Sequence, residues 1–96
     1  MIEVAVMGYG TVGSGVVEVI EKNKAEISQK AGEEINIKYI LDLRDFPGDP
    51  YEDKVIHDFN TILHDDSVTI VCETMGGVGA AYQFTKQALE LGKSVC

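Results

Sequence analysis

A glycine-rich run near the start of the chain has the residue types and spacing to hold phosphate groups. Gly8, Gly10 and Gly13 form a GxGxxG pattern. The pattern follows an apolar, strand-like stretch that ends at Met7, and apolar residues take up helical spacing from Val12 onward. In such a turn the first glycine allows a tight bend, the second leaves room for a pyrophosphate, and the third lets helix and strand pack closely. Because a helix N-terminus attracts anions, the run predicts a dinucleotide-binding loop.

A second group of residues that could bind a coenzyme lies at the end of the second predicted strand and consists of Asp42 and Arg44. At this position an acid accepts a hydrogen bond from the ribose 2′-hydroxyl of NAD, whereas a nearby arginine favours the 2′-phosphate of NADP. Asp42 lies 42 − 13 = 29 residues after Gly13, farther than the usual ~20, and a long first helix accounts for the excess. The sequence therefore predicts use of both NADP and NAD, with NADP favoured.

A third group, Thr74, Met75 and Gly76, follows the apolar, β-branched run at residues 68–72. Ligands of parallel sheets bind beyond the carboxyl ends of the strands, so these residues are candidates to lie beside the second ribose and the nicotinamide. A plain helix-entry turn is the alternative, and the sequence leaves both open. Glu73 either orients a ribose or faces solvent.

Few other residues in the chain suggest chemistry. His57 and His64 sit beside aspartates in predicted surface turns and are not expected to act as general bases. There is no Ser/His/Asp set and no metal-ligand spacing, so neither catalytic residues nor a metal site are predicted. Cys72 lies in an apolar run and is expected to be a buried, inert thiol, and two cysteines indicate no disulfide framework.

The elements that must position these groups alternate between strand and helix. Strands are predicted at residues 2–7, 35–43, 55–56, 68–72 and from 94, and helices from 12 to a stop at Gly32, at 59–63 after an Asp58 cap, and at about 80–91. The first helix should bury Val12, Val16, Ile20 and Ile27, and the last should bury Ala81, Phe84, Ala88 and Leu91. The order indicates an α/β fold, a Rossmann-type doubly wound parallel sheet truncated at the start of a further strand.

The composition of the chain argues against nucleic acids and membranes as partners. The 96 residues suffice for one domain, and the net charge of −8 with scattered basic residues excludes a nucleic-acid surface. Apolar runs are only strand-sized, which excludes a membrane span. The first strand begins at once, with no room for a targeting segment before it, so a cytoplasmic location is expected.

Several segments together resemble the N-terminal part of homoserine dehydrogenase. They are GYGTVGSGVV at residues 8–17, LRD at 43–45, VCETMGG at 71–77 and ALELGKSV at 88–95. The resemblance implies an NAD(P)-dependent oxidoreductase that interconverts L-homoserine and L-aspartate 4-semialdehyde in threonine, methionine and isoleucine biosynthesis. Carried over by position, the pyrophosphate would be held by Gly10, Thr11, Val12 and Gly13. Arg44 would meet the 2′-phosphate, and residues 74–76 would line the nicotinamide side.

The resemblance also implies what residues 1–96 do not supply. Family members have a dimerisation region and a substrate domain besides the coenzyme domain, and they act as homo-oligomers on a small-molecule substrate. The catalytic residues of the family lie beyond the position of Cys96. We therefore expect a fragment that supplies coenzyme binding only and is inactive alone.

Two other interpretations stay open from the sequence. Sugar and inositol dehydrogenases of Rossmann type share the Leu-x-x-Gly-Lys-x-Val pattern that ends the last helix. A nucleotide-sensing regulatory domain is a candidate from a different class. That kind of domain is expected to carry an acid without a partner arginine at the end of the second strand, unlike Asp42 and Arg44 here.

Overall fold

The structure, a computed structural model, describes residues 1–75 and 80–96, with the backbone alone for Ala80. Within these residues a five-stranded parallel sheet has the order β3-β2-β1-β4-β5. The elements are β1 (Ile2–Met7), α1 (Thr11–Lys22), α2 (Lys24–Ala31), β2 (Ile35–Leu41), β3 (Val55–Ile56), α3 (Phe59–Leu63), β4 (Val68–Glu73), α4 (Ala80–Glu90) and β5 (Ser94–Val95). The predicted α/β fold with a Rossmann-type parallel sheet is confirmed.

Strand β1 is the centre of the sheet and is buried on both faces. Ala5 and Met7 belong to a core cluster with residues of α3 and α4, whereas Val6 belongs to a cluster with Val17 of α1. Successive side chains of a strand point to opposite faces, so helices on both faces require the nearly continuous apolar run of β1. The chain moves to β2 on one side of β1 and to β4 on the other, which makes the end of β1 the switch point of the sheet.

The predicted single first helix is two helices separated at Asn23. Asn23 has φ −109° and ψ 17°, and its side-chain Nδ2 donates to the carbonyl of Val19 at 3.0 Å. An asparagine that bonds the preceding turn in this way competes with helix continuation. Gly32 ends the second helix with φ 72°, as predicted.

Two predicted core residues are exposed instead. Val12 is 66% exposed in the first turn of α1, where the helix begins at the end of the sheet rather than over its face. Leu91 is 59% exposed because α4 ends at Glu90 and Gly92, with φ 82°, turns the chain away. Strand β2 also ends two residues earlier than predicted, at Leu41.

The end of the sheet opposite the glycine loop is closed by a polar cluster. Lys93 is buried, and its Nζ donates to the carbonyls of Val68 at 2.7 Å and Asp65 at 2.9 Å. The carboxylate of Asp65 accepts from Lys38 Nζ at 2.6 Å and from Tyr39 Oη at 2.7 Å. These bonds hold the pKa of Asp65 well below its usual range. The lysine of the Leu-x-x-Gly-Lys-x-Val pattern therefore has a structural role at the start of β4.

Candidate functional site: a cleft at the carboxyl ends of the strands

The glycine loop joins β1 to α1 with a geometry that depends on two glycines. Gly8 has φ +100°, and an added Cβ would lie 2.9 Å from both Met75 Cγ and Thr74 Oγ1. A Cβ on Gly13 would overlap the carbonyl oxygen of Gly8 and lie 2.7 Å from its carbonyl carbon. The predicted roles of these two glycines, a tight bend and a close helix–strand approach, agree with this geometry.

Gly10 differs from the other two because the folded chain tolerates a side chain there. Its φ is −82°, and an added Cβ would meet only Arg44 Nη2, at 3.9 Å. The backbone at Gly10 therefore does not require glycine, and the open space beside it agrees with the predicted room for a pyrophosphate. Ser14 N is the first α1 amide to bond back along the helix, to the Gly10 carbonyl at 2.9 Å. The amides of Thr11, Val12 and Gly13 have no intrahelical acceptor, as at any helix start.

One open cleft of about 450 Å³ brings most of the predicted site residues together. Its lining residues are Gly8, Gly10, Asp42, Leu43, Arg44, Thr74 and Met75. Thr11 and Val12 are exposed at the adjacent start of α1, and Gly13 packs beneath Gly8. Gly76 lies outside the described residues. Among the described residues no group of three or more His, Cys, Asp or Glu side chains is placed to hold a metal ion.

The carboxylate of Asp42 is fully used within the protein. One oxygen accepts from the Tyr9 amide at 2.9 Å and from Arg44 Nη2 at 3.0 Å, and the other accepts from the Arg44 amide at 2.9 Å and Arg44 Nε at 3.1 Å. These bonds, with Arg44 contributing most, keep the pKa of Asp42 well below its usual range. A carboxylate offers about four acceptor positions, so none is left for a ribose hydroxyl in this arrangement. Asp42 instead ties the glycine loop to Arg44.

Arg44 is held by Asp42 while remaining accessible. Its side chain is 64% exposed against 10% for Asp42, and its guanidinium stacks 5.2 Å from the ring centroid of Phe46. The bidentate pair uses two of the five guanidinium N–H donors, which leaves three for another partner. Among the described residues, the Arg44 guanidinium is the cation nearest the open space beside Gly10.

The turn that carries Arg44 is braced by Tyr9 and His57, for which the sequence alone predicts no part in the site. Tyr9 Oη donates to Asp49 at 2.9 Å and its ring packs edge-on against Phe46; burial, with Asp49, raises the pKa of Tyr9 to about 12. His57 Nδ1 lies 2.7 Å from the Asp42 carbonyl, and His57 Nε2 lies 2.9 Å from the Asp45 carboxylate. No local sequence pattern marks contacts between residues this far apart in the chain.

Thr74 and Glu73 stabilise the wall of the cleft that follows β4. The Thr74 hydroxyl lies 2.7 Å from the carbonyl oxygen of Met7 and 3.1 Å from that of Gly8, so it holds the end of β4 against the glycine loop. The Glu73 carboxylate accepts from the Met75 amide. Met75 itself is exposed to the cleft, as is Leu43. The predicted nicotinamide-side residue Thr74 thus first serves to position the loop.

The His57 contacts predict a pH-dependent contribution to stability. Both ring nitrogens face acceptors, so the imidazolium is favoured, and the Asp42 carbonyl followed by Asp45 raises the pKa of His57 in the folded state. Such a group stabilises the fold fully below the unfolded pKa of ~6.5, and the contribution is lost as pH rises through the folded pKa. Urea unfolding across about pH 6 to 9 should show a decline in stability that His57→Gln reduces. If the stability of His57→Gln declined with pH as much as that of the native chain, this role of His57 would be contradicted. His64→Gln is the matched control.

Comparison with known proteins shows that this chain is similar to part of homoserine dehydrogenases. No family model matches the chain. It is 33% identical over 95 residues to homoserine dehydrogenase of Helicobacter pylori, an alignment that covers 97% of this chain and 22% of that protein. A crystal structure of S. aureus homoserine dehydrogenase matches with a TM-score of 0.88 and 38% identity over 98% of this chain and 24% of that one. The crystal structure of homoserine dehydrogenase from Thiobacillus denitrificans matches with a TM-score of 0.83 and 30% identity. That match covers 98% of this chain and 22% of the other.

The relationship covers almost all of this chain but a small part of each relative. The chain spans about a quarter of the length of the homoserine dehydrogenases that it matches. It is therefore related, along nearly its whole length, to the N-terminal part of homoserine dehydrogenases.

Proposed function

We propose that this chain is the NAD(P)-binding part of a homoserine dehydrogenase. The observation that carries the proposal is the cleft itself: a glycine loop at the switch point of a parallel sheet, with Arg44 beside Gly10. The similarity to homoserine dehydrogenases favours this enzyme over sugar and inositol dehydrogenases and over nucleotide-sensing domains.

The residues of the cleft fit a dinucleotide. Gly10 leaves open space in front of the first-turn amides of α1, where the pyrophosphate would lie. Arg44 has N–H donors to spare for a 2′-phosphate. The exposed apolar side chains of Leu43 and Met75 would cover the flat face of a base. We therefore assign cofactor binding to Gly8, Gly10, Thr11, Val12, Gly13, Arg44, Thr74 and Met75. The assignment of Gly76 depends on the sequence resemblance alone, and Asp42 is assigned to this site through its hold on Arg44.

The arrangement of Asp42 and Arg44 supports NADP as the preferred coenzyme. With its acceptor positions filled, Asp42 offers nothing to the ribose hydroxyl of NAD unless Arg44 moves away. Binding of a 2′-phosphate needs no such change, since the guanidinium keeps its place on Asp42. We assign Asp42 to positioning Arg44 rather than to direct ribose recognition.

The proposed reaction is the reversible interconversion of L-homoserine and L-aspartate 4-semialdehyde. The bound nicotinamide coenzyme would supply or accept the hydride. Residues of this chain would bind and orient the dinucleotide, whereas substrate-binding and proton-transferring groups would belong to the remaining three quarters of a longer, homo-oligomeric, cytoplasmic enzyme. The 96-residue chain alone should therefore show no turnover of homoserine, and measurable turnover would contradict this division of labour.

Replacement of Gly10 by valine tests the proposed phosphate loop. Because an added Cβ meets no atom closer than 3.9 Å, Gly10→Val should still fold, with a modest fall in the thermal midpoint because valine is a poor N-cap residue. The same side chain would fill the space assigned to the pyrophosphate, so NADP binding should be lost. Saturation-transfer NMR with NADP on both proteins measures this difference. Equal signals from the native chain and the variant would contradict the assignment of the pyrophosphate to this loop.

A further inference from the structure

The two cysteines of the chain lie side by side on neighbouring strands. Cys72 Sγ and Cys96 Sγ are 3.2 Å apart. The Cys96 amide donates to the Val71 carbonyl at 3.0 Å, and the Glu73 amide donates to the Cys96 carbonyl at 2.7 Å. These two bonds bracket Cys72, so Cys96 stands directly opposite it across the parallel pair of β4 and β5. Cys72, predicted to be buried, is partly buried and lies against a second thiol.

We propose that Cys72 and Cys96 form a redox-active dithiol that closes to an intramolecular disulfide with a small-molecule disulfide as oxidant. Neighbouring strands lie about 4.8 Å apart, within the range of about 4.4–6.8 Å that disulfides require between Cα atoms. The two sulfurs would have to approach by only about 1 Å to reach the bonding distance of about 2.05 Å. No other cysteine is present in the sequence to compete for either partner.

The unequal surroundings of the two thiols set the order of events. In the 96-residue chain Cys96, the last residue, is exposed, whereas Cys72 is partly buried. Burial, followed by its contact with Cys96, raises the pKa of the Cys72 thiol to about 12. The Cys96 thiolate would attack one sulfur of the oxidant, break its S–S bond and release one thiolate. Cys72 would then lose its proton, attack the Cys96 sulfur and release the second thiolate. The chain loses two electrons and two protons, and the oxidant is reduced to two thiols.

The position of the pair connects it to the cleft. Cys72 lies two residues before Thr74, whose hydroxyl holds the carbonyls of Met7 and Gly8. A disulfide would fix the end of β4 to β5 directly behind this contact.

Oxidation of the native 96-residue chain with glutathione disulfide tests the proposal. The dilute, folded chain would be incubated with the oxidant, denatured, alkylated and weighed by mass spectrometry. We expect both thiols to be lost without a retained glutathione. Tryptic cleavage after Lys93 isolates Cys96 from Cys72, so a non-reduced peptide map should contain residues 94–96 linked to the peptide that carries Cys72.

The variants separate the proposed closure from simple modification of an exposed thiol. In Cys72→Ser the glutathione should remain on Cys96, because no second thiol is present to displace it, and in Cys96→Ser the slower Cys72 should stay reduced. For the native chain, a stable glutathione adduct on Cys96 with Cys72 still alkylatable would overturn the proposal. Dimers linked through Cys96 as the main product would overturn it as well.

Discussion

Gly13→Ala is expected to destabilise the chain more than any other single-methyl addition described here. The new Cβ would overlap the Gly8 carbonyl oxygen, which is backbone and cannot move without shifting β1 or α1. Overpacking of this kind costs about 3 kcal/mol, which corresponds to a fall of roughly 12–24 °C in the thermal midpoint of a domain of this size. Thermal unfolding followed by circular dichroism measures the fall.

Gly15→Ala is the matched control for this prediction. Gly15 lies in the same helix, two residues further on, and an added Cβ there meets nothing within 4 Å. Replacing a helical glycine by alanine should stabilise the chain by about 0.5–1 kcal/mol. If both variants shifted the midpoint in the same direction, the close approach of α1 to the glycine loop would not be what requires Gly13.

Arg44→Ala is expected to weaken the binding of NADP strongly without weakening the binding of NAD. A guanidinium on a phosphate makes a charge-assisted contact worth roughly 1.5–3 kcal/mol, or about 10- to 150-fold in the dissociation constant. NADP should therefore bind about that much more weakly to the variant. NAD, which lacks the 2′-phosphate, should bind at least as well as before, because the Asp42 oxygens released by the guanidinium become free to accept from its ribose hydroxyl. Because the 96-residue chain should bind weakly, ligand-observed NMR at equal concentrations of each coenzyme compares the binding signals of the native chain and the variant.

The control for Arg44→Ala separates the specific contact from general electrostatics. Lys30→Ala removes the same charge from an exposed pair with Glu26 on α2 and should leave both affinities unchanged. Equal losses for NADP and NAD in Arg44→Ala would mean that Arg44 acts by holding the loop together. In that case the proposed preference for NADP would have to be withdrawn.

The elements of this fold could be predicted because their signals are local. Alternation of apolar residues, the Asp58 cap and the glycines at positions 32 and 92 mark where strands and helices begin and end, and the structure agrees. The break at Asn23 was missed because the apolar spacing continues across it, and only the side-chain bond to Val19 shows why the helix stops.

Most of the residues that meet in the cleft can be chosen from the sequence, but the contacts between them cannot. The positions of Asp42 and Thr74 at strand ends predict contacts with the ligand, yet the oxygens of both side chains bond to other parts of the cleft wall. Tyr9 and His57 brace the Arg44 turn through partners 40 and 15 residues away along the chain. Such pairings depend on how the loops pack on one another, which periodicity and spacing do not encode.

An amide-resolved NMR titration of the native chain with NADP tests the central claim most directly. If the cleft binds the dinucleotide, chemical-shift changes at millimolar NADP should be concentrated in residues 8–13 and 42–44, and they should be absent from the Gly10→Val variant. A cleft without its substrate-side wall should bind weakly, so fast exchange is expected. Changes located elsewhere on the chain, or none in the glycine loop, would contradict the assignment of coenzyme binding to this site.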